Sequence, residues 1–278
     1  IGQHEFWLGL LVVALAVGLS ISTDEFLSLG NLTDVATSYA ILGILACGLF
    51  VVLISGGIDI SFPAMTAIAQ YAMASWVIGH GGNFALALII AIAVGLLLGL
   101  INGFLVYWLR VPAIIITIAT LNVYYGLLVY ATKGTWLYGF PDWFMNGINW
   151  FSFTAADGYD YGLTLPLLCL AAVIIFTAVL MNYTRLGRQV YAMGGNRDAA
   201  SRLGLNLLKL HFYVYGYMGI LAGVAAVVQA QITQSVAPNS LLGFELTVLA
   251  AVVLGGTSMS GGRGTLTGTL LGVVLLAF

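Results

Sequence analysis

Long apolar runs separated by short polar breaks set the pattern of this chain. They occupy 6–22, 36–54, 62–79, 84–109, 112–131, 162–182, 211–231, 244–260 and 265–278. A membrane-spanning helix needs about 20 mostly apolar residues, so the pattern predicts an all-α polytopic membrane protein with about nine visible spans. The last run stops at Phe278 and the chain begins at Ile1 rather than Met, which predicts a portion, trimmed at both ends, of a longer protein. No small-residue cleavage site follows the first run, so it reads as a span rather than a signal peptide.

Basic residues choose the orientation. With the N-terminus in the cytoplasm, Arg110, Arg185, Arg188, Arg197, Arg202, Lys209 and Arg263 all fall inside and only Lys133 falls outside. The opposite orientation reverses that balance, so the positive-inside rule predicts a cytoplasmic N-terminus. Asp24, Glu25, Asp34, Asp142, Asp157 and Asp160 then fall outside.

Composition agrees with lipid as the main solvent. The chain has 278 residues, 61% hydrophobic and 6% charged, against about 25% charged in a soluble domain. This excludes a soluble enzyme, and with a net charge of −2 there is no basic field for nucleic acid. The 35 glycines suit helices that approach closely in a bilayer. Cys47 and Cys169 sit in apolar runs without metal-ligand spacing and read as packing residues. His4, His80 and His211 are dispersed near predicted span ends. No phosphate-cradling Gly loop, zinc motif or nucleophile–base set can be assembled, so the chain reads as non-catalytic with no cofactor of its own.

Two connections exceed a tight turn. Residues 132–161, outside, are rich in Trp, Phe and Tyr, with Pro141 breaking any helix; they fit an interfacial aromatic belt or a docking surface. Residues 183–210, inside, carry five of the basic residues. There Asn196 is a good N-cap, Asp198 suits the positive helix end and Gly204 is placed as a stop. The short helix between them, Arg197 to Leu203, cannot stand alone. It is either a surface loop that anchors topology or a helix inserted into a cytosolic partner, and the residues leave both open.

Two glycine-rich patches follow spans at the inner side. Gly56, Gly57, Asp59 and Ser61 form one bend; Gly255, Gly256, Gly261 and Gly262 form the other, a pairing that resembles an internal repeat. A carboxylate at membrane depth is a functional candidate, yet Asp59, Ser61 and Pro63 make a good helix start, and capping near the interface is the preferred reading. Gln70, Asn102, Asn122 and Gln229, with Gln231 and Gln234, either line a hydrated path or bond neighbouring helices. Glu245 opens the eighth span, where the helix dipole favours it.

GGIDIS at 56–61, NGFLVYWLRVPAIIITIATL at 102–121, GRQVYAMGGNRDAASRLGL at 187–205 and LAAVVLGGTSMSGGRGTLTGTLLG at 249–272 resemble permease subunits of bacterial sugar ABC importers of the ribose type. That group also serves other monosaccharides and the furanosyl signal autoinducer-2. The likeness covers nearly the whole chain in order, although members commonly read GGIDLSVGS where this chain continues with Phe62-Pro63. It implies one transmembrane permease domain over 1–278 in the bacterial cytoplasmic (inner) membrane, paired with a second copy or a paralogue. A cytosolic ATPase would use ATP and Mg²⁺ and receive the helix of Asn196, Arg197, Asp198, Ala199, Ala200, Arg202, Leu203 and Gly204 as a coupling helix. A periplasmic or lipid-anchored binding protein would deliver sugar to the outer face, with 132–161 in its docking surface.

The leading reading is therefore the passive pathway of an ATP-driven monosaccharide importer working by alternating access. One alternative is a permease of the same superfamily for branched-chain amino acids or nucleosides. Another is an ion-coupled transporter or channel working alone. Ion coupling usually leaves ionisable groups in mid-span, and only Asp59 and Glu245 lie near enough to serve.

Overall fold

Caps and glycines, more than the lengths of the apolar runs, decide where the helices begin and end. The structure, a computed structural model, describes residues 2–23, 25–146, 152–154 and 160–278. Asp24, Asp157, and 147–151 and 155–159 of the aromatic connection lie outside the described residues.

Helix α1 (Gln3–Ser22) is followed by α2 (Leu29–Ser38), which Ser28 caps by accepting from the Asn31 amide at 3.2 Å. A bend of 49° at Tyr39 separates α2 from α3 (Ala40–Ile54). Next come α4 (Phe62–His80), α5 (Phe84–Leu109), capped by Asn83, and α6 (Ala113–Thr132), which begins at Pro112. Pro141 precedes a one-turn helix, α7 (Asp142–Met145), so the proline starts helix there as well as breaking it. Strands β1 (Ser152–Thr154) and β2 (Asp160–Gly162) pair antiparallel, Ser152 opposite Gly162. Then follow α8 (Leu165–Tyr183), α9 (Arg185–Gly195), α10 (Arg197–Arg202), α11 (Leu207–Thr233), α12 (Phe244–Leu254) and α13 (Leu266–Ala277).

Each of the nine apolar runs contains helix, but they do not all have crossing length. Five helices are long and apolar enough, α1 from His4, α5, α6, α8 and α11, and the bent α2–α3 pair makes a sixth. At 19 residues α4 has the length, yet Thr66, Gln70, Ser75 and His80 dilute its apolar character. The run 244–260 yields only 11 helical residues and 265–278 only 12. At 1.5 Å per residue these reach about 16–18 Å, roughly half the hydrocarbon core. The cause is local: Gly255 and Gly256 turn the chain inside the first of these runs.

The core is built around α3 and α11. All fifteen residues of α3 are buried, and 83% of the apolar window of α11 is buried against 11% for α1. Helix α11 runs along α5 with backbone touching backbone. A Cβ on Gly95 would strike the Gly219 carbonyl oxygen, one on Gly99 the Tyr215 carbonyl oxygen, and one on Gly223 would lie within 2.7 Å of Ile92 Cα. Small residues are what lipid-embedded helices use for such approach. The α12–α13 pair repeats the device through Gly255, Gly268 and Gly272. At the opposite end of the bundle from α10, Leu137 and Val236 exchange backbone hydrogen bonds of 3.0 Å. Phe140 and Phe144 stack at 4.5 Å there as a buried plug.

Candidate functional site

The short helix predicted after the sixth run is present as α10. Asn196 Oδ1 accepts from the Ala199 amide at 2.9 Å, and Gly204 has a left-handed φ of +82°. The helix lies on the surface: Ala200 is its only buried residue, while Leu203 just beyond is 80% exposed. Asn196, Arg197, Asp198, Ala199 and Arg202 are exposed as well.

What holds α10 in place is a meeting of glycines. The Gly262 amide donates to the Ile54 carbonyl at 2.9 Å, tying the α12–α13 turn to the end of α3. Gly194, at the end of α9, sits so close that a Cβ there would overlap the Ile54 carbonyl oxygen and approach Gly262 N to 2.8 Å. A Cβ on Gly261 would meet Gly56 Cα at 2.6 Å, and one on Gly262 would meet Gly195 Cα at 2.7 Å. Three Gly-Gly pairs, 56–57, 194–195 and 261–262, therefore share one point next to α10. The two bends predicted from sequence are in contact here. The third pair, Gly194-Gly195, is visible in the sequence, but nothing local ties it to the other two.

Asp59 is 0% exposed and sits inside the protein rather than at a wetted interface. Its Oδ1 accepts from the Ser61 amide at 2.8 Å and the Ser61 hydroxyl at 2.6 Å. Ser61 is itself the N-cap position of α4, so Asp59 braces the bend ahead of the helix instead of capping first-turn amides. Asn102 Nδ2 donates to Ser61 Oγ at 2.6 Å, and the Tyr124 hydroxyl donates to Asn102 Oδ1 at 3.1 Å. Thr117 Oγ1 donates to the Ile58 carbonyl at 3.1 Å, which pins α6 to the same bend. Asp59 Oδ2 and the Tyr215 hydroxyl are buried there without partners.

The predicted path residues do not form one group. Asn102 belongs to the Asp59 network, while Gln70 is fully buried on α4 with neither Nε2 nor Oε1 partnered. Asn122 faces outward on α6 and donates to its own helix at Ile118 O, 2.8 Å away. Gln229 is half-buried on α11. Gln231 and Gln234 line a pocket of about 300 Å³ with Thr37 and Thr164, between the ends of α2, α8 and α11. Larger pockets of about 340 and 420 Å³ flank α8 and are apolar, lined by side chains such as Leu96, Phe176 and Ile220. The residues missed in the sequence are Tyr124, Tyr125 and Tyr215, whose hydroxyls are hidden in apolar runs. Among the described residues, no three His, Cys, Asp or Glu side chains gather at one point.

A helical bundle with one short β-hairpin, lipid-like composition, a broken helix pair and a buried polar interior defines a multi-pass membrane protein of the permease class. The chain belongs to the family described as Branched-chain amino acid transport system / permease component, which matches residues 31–278. Its relatives include the ribose import permease protein of Escherichia coli (strain K12), 32% identical over 96% of this chain and 82% of that one. The ribose import permease protein of Bacillus subtilis (strain 168) is 33% identical over 97% of this chain and 81% of its own. An autoinducer 2 import system permease protein of Yersinia enterocolitica (serotype O:8 / biotype 1B) is 32% identical over 96% and 72%. No solved structure matches the chain.

Proposed function

We propose that this chain is the transmembrane pathway subunit of an ATP-driven importer that carries a monosaccharide or a similar small sugar into the bacterial cytoplasm. The observation that carries the reading is the identity of 32–33% over 96–97% of the chain to permeases named for ribose and autoinducer 2 import. In this reading the chain does no chemistry and binds no nucleotide; a separate cytosolic ATPase uses ATP and Mg²⁺. The exposed α10, with Leu203 at its end, is the coupling helix, and the glycine junction passes its movement to α3 and to the α12–α13 turn. The N-terminus is cytoplasmic and the nine apolar segments cross or re-enter the inner membrane. The connection 132–161 faces the periplasm, with Trp136 and Tyr138 exposed for a sugar-binding protein. A second permease copy or a paralogue completes the path, and α6, which turns Asn122 outward, is the face for it.

A neutral sugar needs hydrogen-bond partners and no counter-charge, which fits an interior furnished with amide, hydroxyl and carboxylate groups but, among the described residues, no buried Lys or Arg. A zwitterionic amino acid would leave its carboxylate unpaired there. Purification from the native membrane should recover an ATPase with this chain, and vesicles holding the complex and its binding protein should take up D-ribose or a related monosaccharide only with ATP inside. A protein that purifies alone and drives uptake from an ion gradient overturns the reading.

A further inference from the structure

Four side chains outside the Asp59 network hold enclosed atoms without partners: Thr164 Oγ1, ahead of α8 in the pocket beside Gln231, and, on three other helices, both amide atoms of Gln70 on α4, the hydroxyl of Tyr125 on α6, and Oε2 of Glu245 in the first turn of α12. Counted along their own helices, the last three stand at similar distances from the bend at 54–61. Thr117 bonds the Ile58 carbonyl, and Tyr125 lies two turns further along α6, about 12 Å above that level. Gln70 lies about 13 Å above Ser61 along α4. The turn after α12 is tied to Ile54 by Gly262, and Glu245 stands about 13 Å above the end of α12. Helix α4 packs against both α6 and α12, and the Glu245 charge is within electrostatic reach of the Tyr125 hydroxyl.

Buried polar groups in folded proteins are nearly always paired. The unpaired groups on α4, α6 and α12 form a set whose partners arrive from elsewhere. The chemistry of the set is specific. A carboxamide offers two donors and two lone pairs, a phenol one donor and an acceptor, and a carboxylate accepts from two neighbouring hydroxyls. A polyhydroxylated, uncharged solute, whose hydroxyls both donate and accept, satisfies all three; a metal ion leaves the amide and phenol donors unmatched. Turns at glycines with left-handed φ bound the helix bearing Glu245, Gly243 at +89° and Gly256 at +87°.

We propose that Gln70, Tyr125 and Glu245 form the hydroxyl-reading constriction of the solute path, closed here and opened when α12 swings away from α4. This rests on the sugar-permease reading and adds to it the residues that select the solute. The test uses the full importer in vesicles with ATP inside and radiolabelled D-ribose as probe, alongside the thermal midpoint of the solubilised permease. Gln70→Leu should cut ribose uptake about tenfold or more while leaving the midpoint unchanged or raised, because it removes unpaired polar atoms from an apolar site. Tyr125→Phe and Glu245→Gln, which keep shape, should each lower uptake several-fold with the ATPase still co-purifying. Wild-type uptake in Gln70→Leu, or a lowered midpoint with uptake intact, overturns the constriction and leaves the sugar reading standing. Wild-type vesicles that carry leucine but no ribose or other neutral monosaccharide overturn the sugar reading, and the constriction with it.

Discussion

The seam between α5 and α11 and the junction of Gly56, Gly194 and Gly262 are both glycine contacts with backbone against backbone, yet they are built differently. In the seam, Gly95, Gly99 and Gly103 recur at every fourth position of a 26-residue helix; Gly95 and Gly99 meet Gly219 and Gly223 of a 27-residue one, and Gly103 meets its His211. Every peptide in that contact is already hydrogen-bonded along its own helix, so the seam resists shear over its whole length. In the junction, the Gly262 amide bonds the Ile54 carbonyl at 2.9 Å and the Tyr191 hydroxyl donates to the Gly264 carbonyl at 2.9 Å, and Gly56, Gly261 and Gly262 hold left-handed φ values of +82°, +88° and +70°. Such a contact fixes a point without fixing an angle. The difference teaches that close glycine packing yields a rigid beam where helices supply the bonding and a pivot where turns do.

Substitutions can break that comparison. The largest effect is expected in the seam: Gly219→Val places methyl groups against the Gly95 carbonyl. Overpacking of this kind costs about 3 kcal/mol or more, and size-exclusion profiles of solubilised protein should show little folded material. Next is Gly194→Val in the junction, where the clash falls on the Ile54 carbonyl and the end of α9 can tilt away. Yield and thermal midpoint should fall less than in Gly219→Val while ATP-dependent uptake falls about tenfold or more; equal loss of folded protein in both variants would erase the distinction between beam and pivot. Smaller again is Asn196→Ala, which removes the cap of α10 at a cost of about 1 kcal/mol. ATPase co-purification and uptake should drop a few-fold, with no change in membrane insertion. The smallest effect is expected for Asp59→Asn, whose Oδ1 can still accept both Ser61 hydrogen bonds. Uptake within about twofold of wild type is the expected result, and complete loss would mean that the carboxylate charge itself takes part.

The apolar runs locate α5, α6, α8 and α11 to within a few residues because a long helix in lipid has no other way to satisfy its backbone. Asn196 and Gly204 likewise mark α10, since caps act on the residues beside them. What stays hidden is what distance in the chain conceals. The break at Tyr39 and the early end of α12 at Leu254 fall inside continuous apolar sequence, where a length ruler sees one span. Gly194 touching Ile54 is a contact between residues 140 apart, and no periodicity encodes it. The tyrosines at 124, 125 and 215 count as hydrophobic in any run, so their hydroxyls vanish from the pattern until neighbouring helices surround them. Gln70 and Asn102 are conspicuous in sequence, but only the fold separates them from the outward-facing Asn122.

The complete enclosure of α3 has a consequence for how the protein is made. Its wrapping comes from α8, α9, α11, α12 and α13, all encoded downstream. A ribosome delivering this chain at about 5–20 residues per second therefore commits α3 to lipid well before its neighbours exist. The helix that ends at the centre begins as a bilayer-exposed one, and its all-round apolar surface, Ala40 to Ile54, is what lets it wait there.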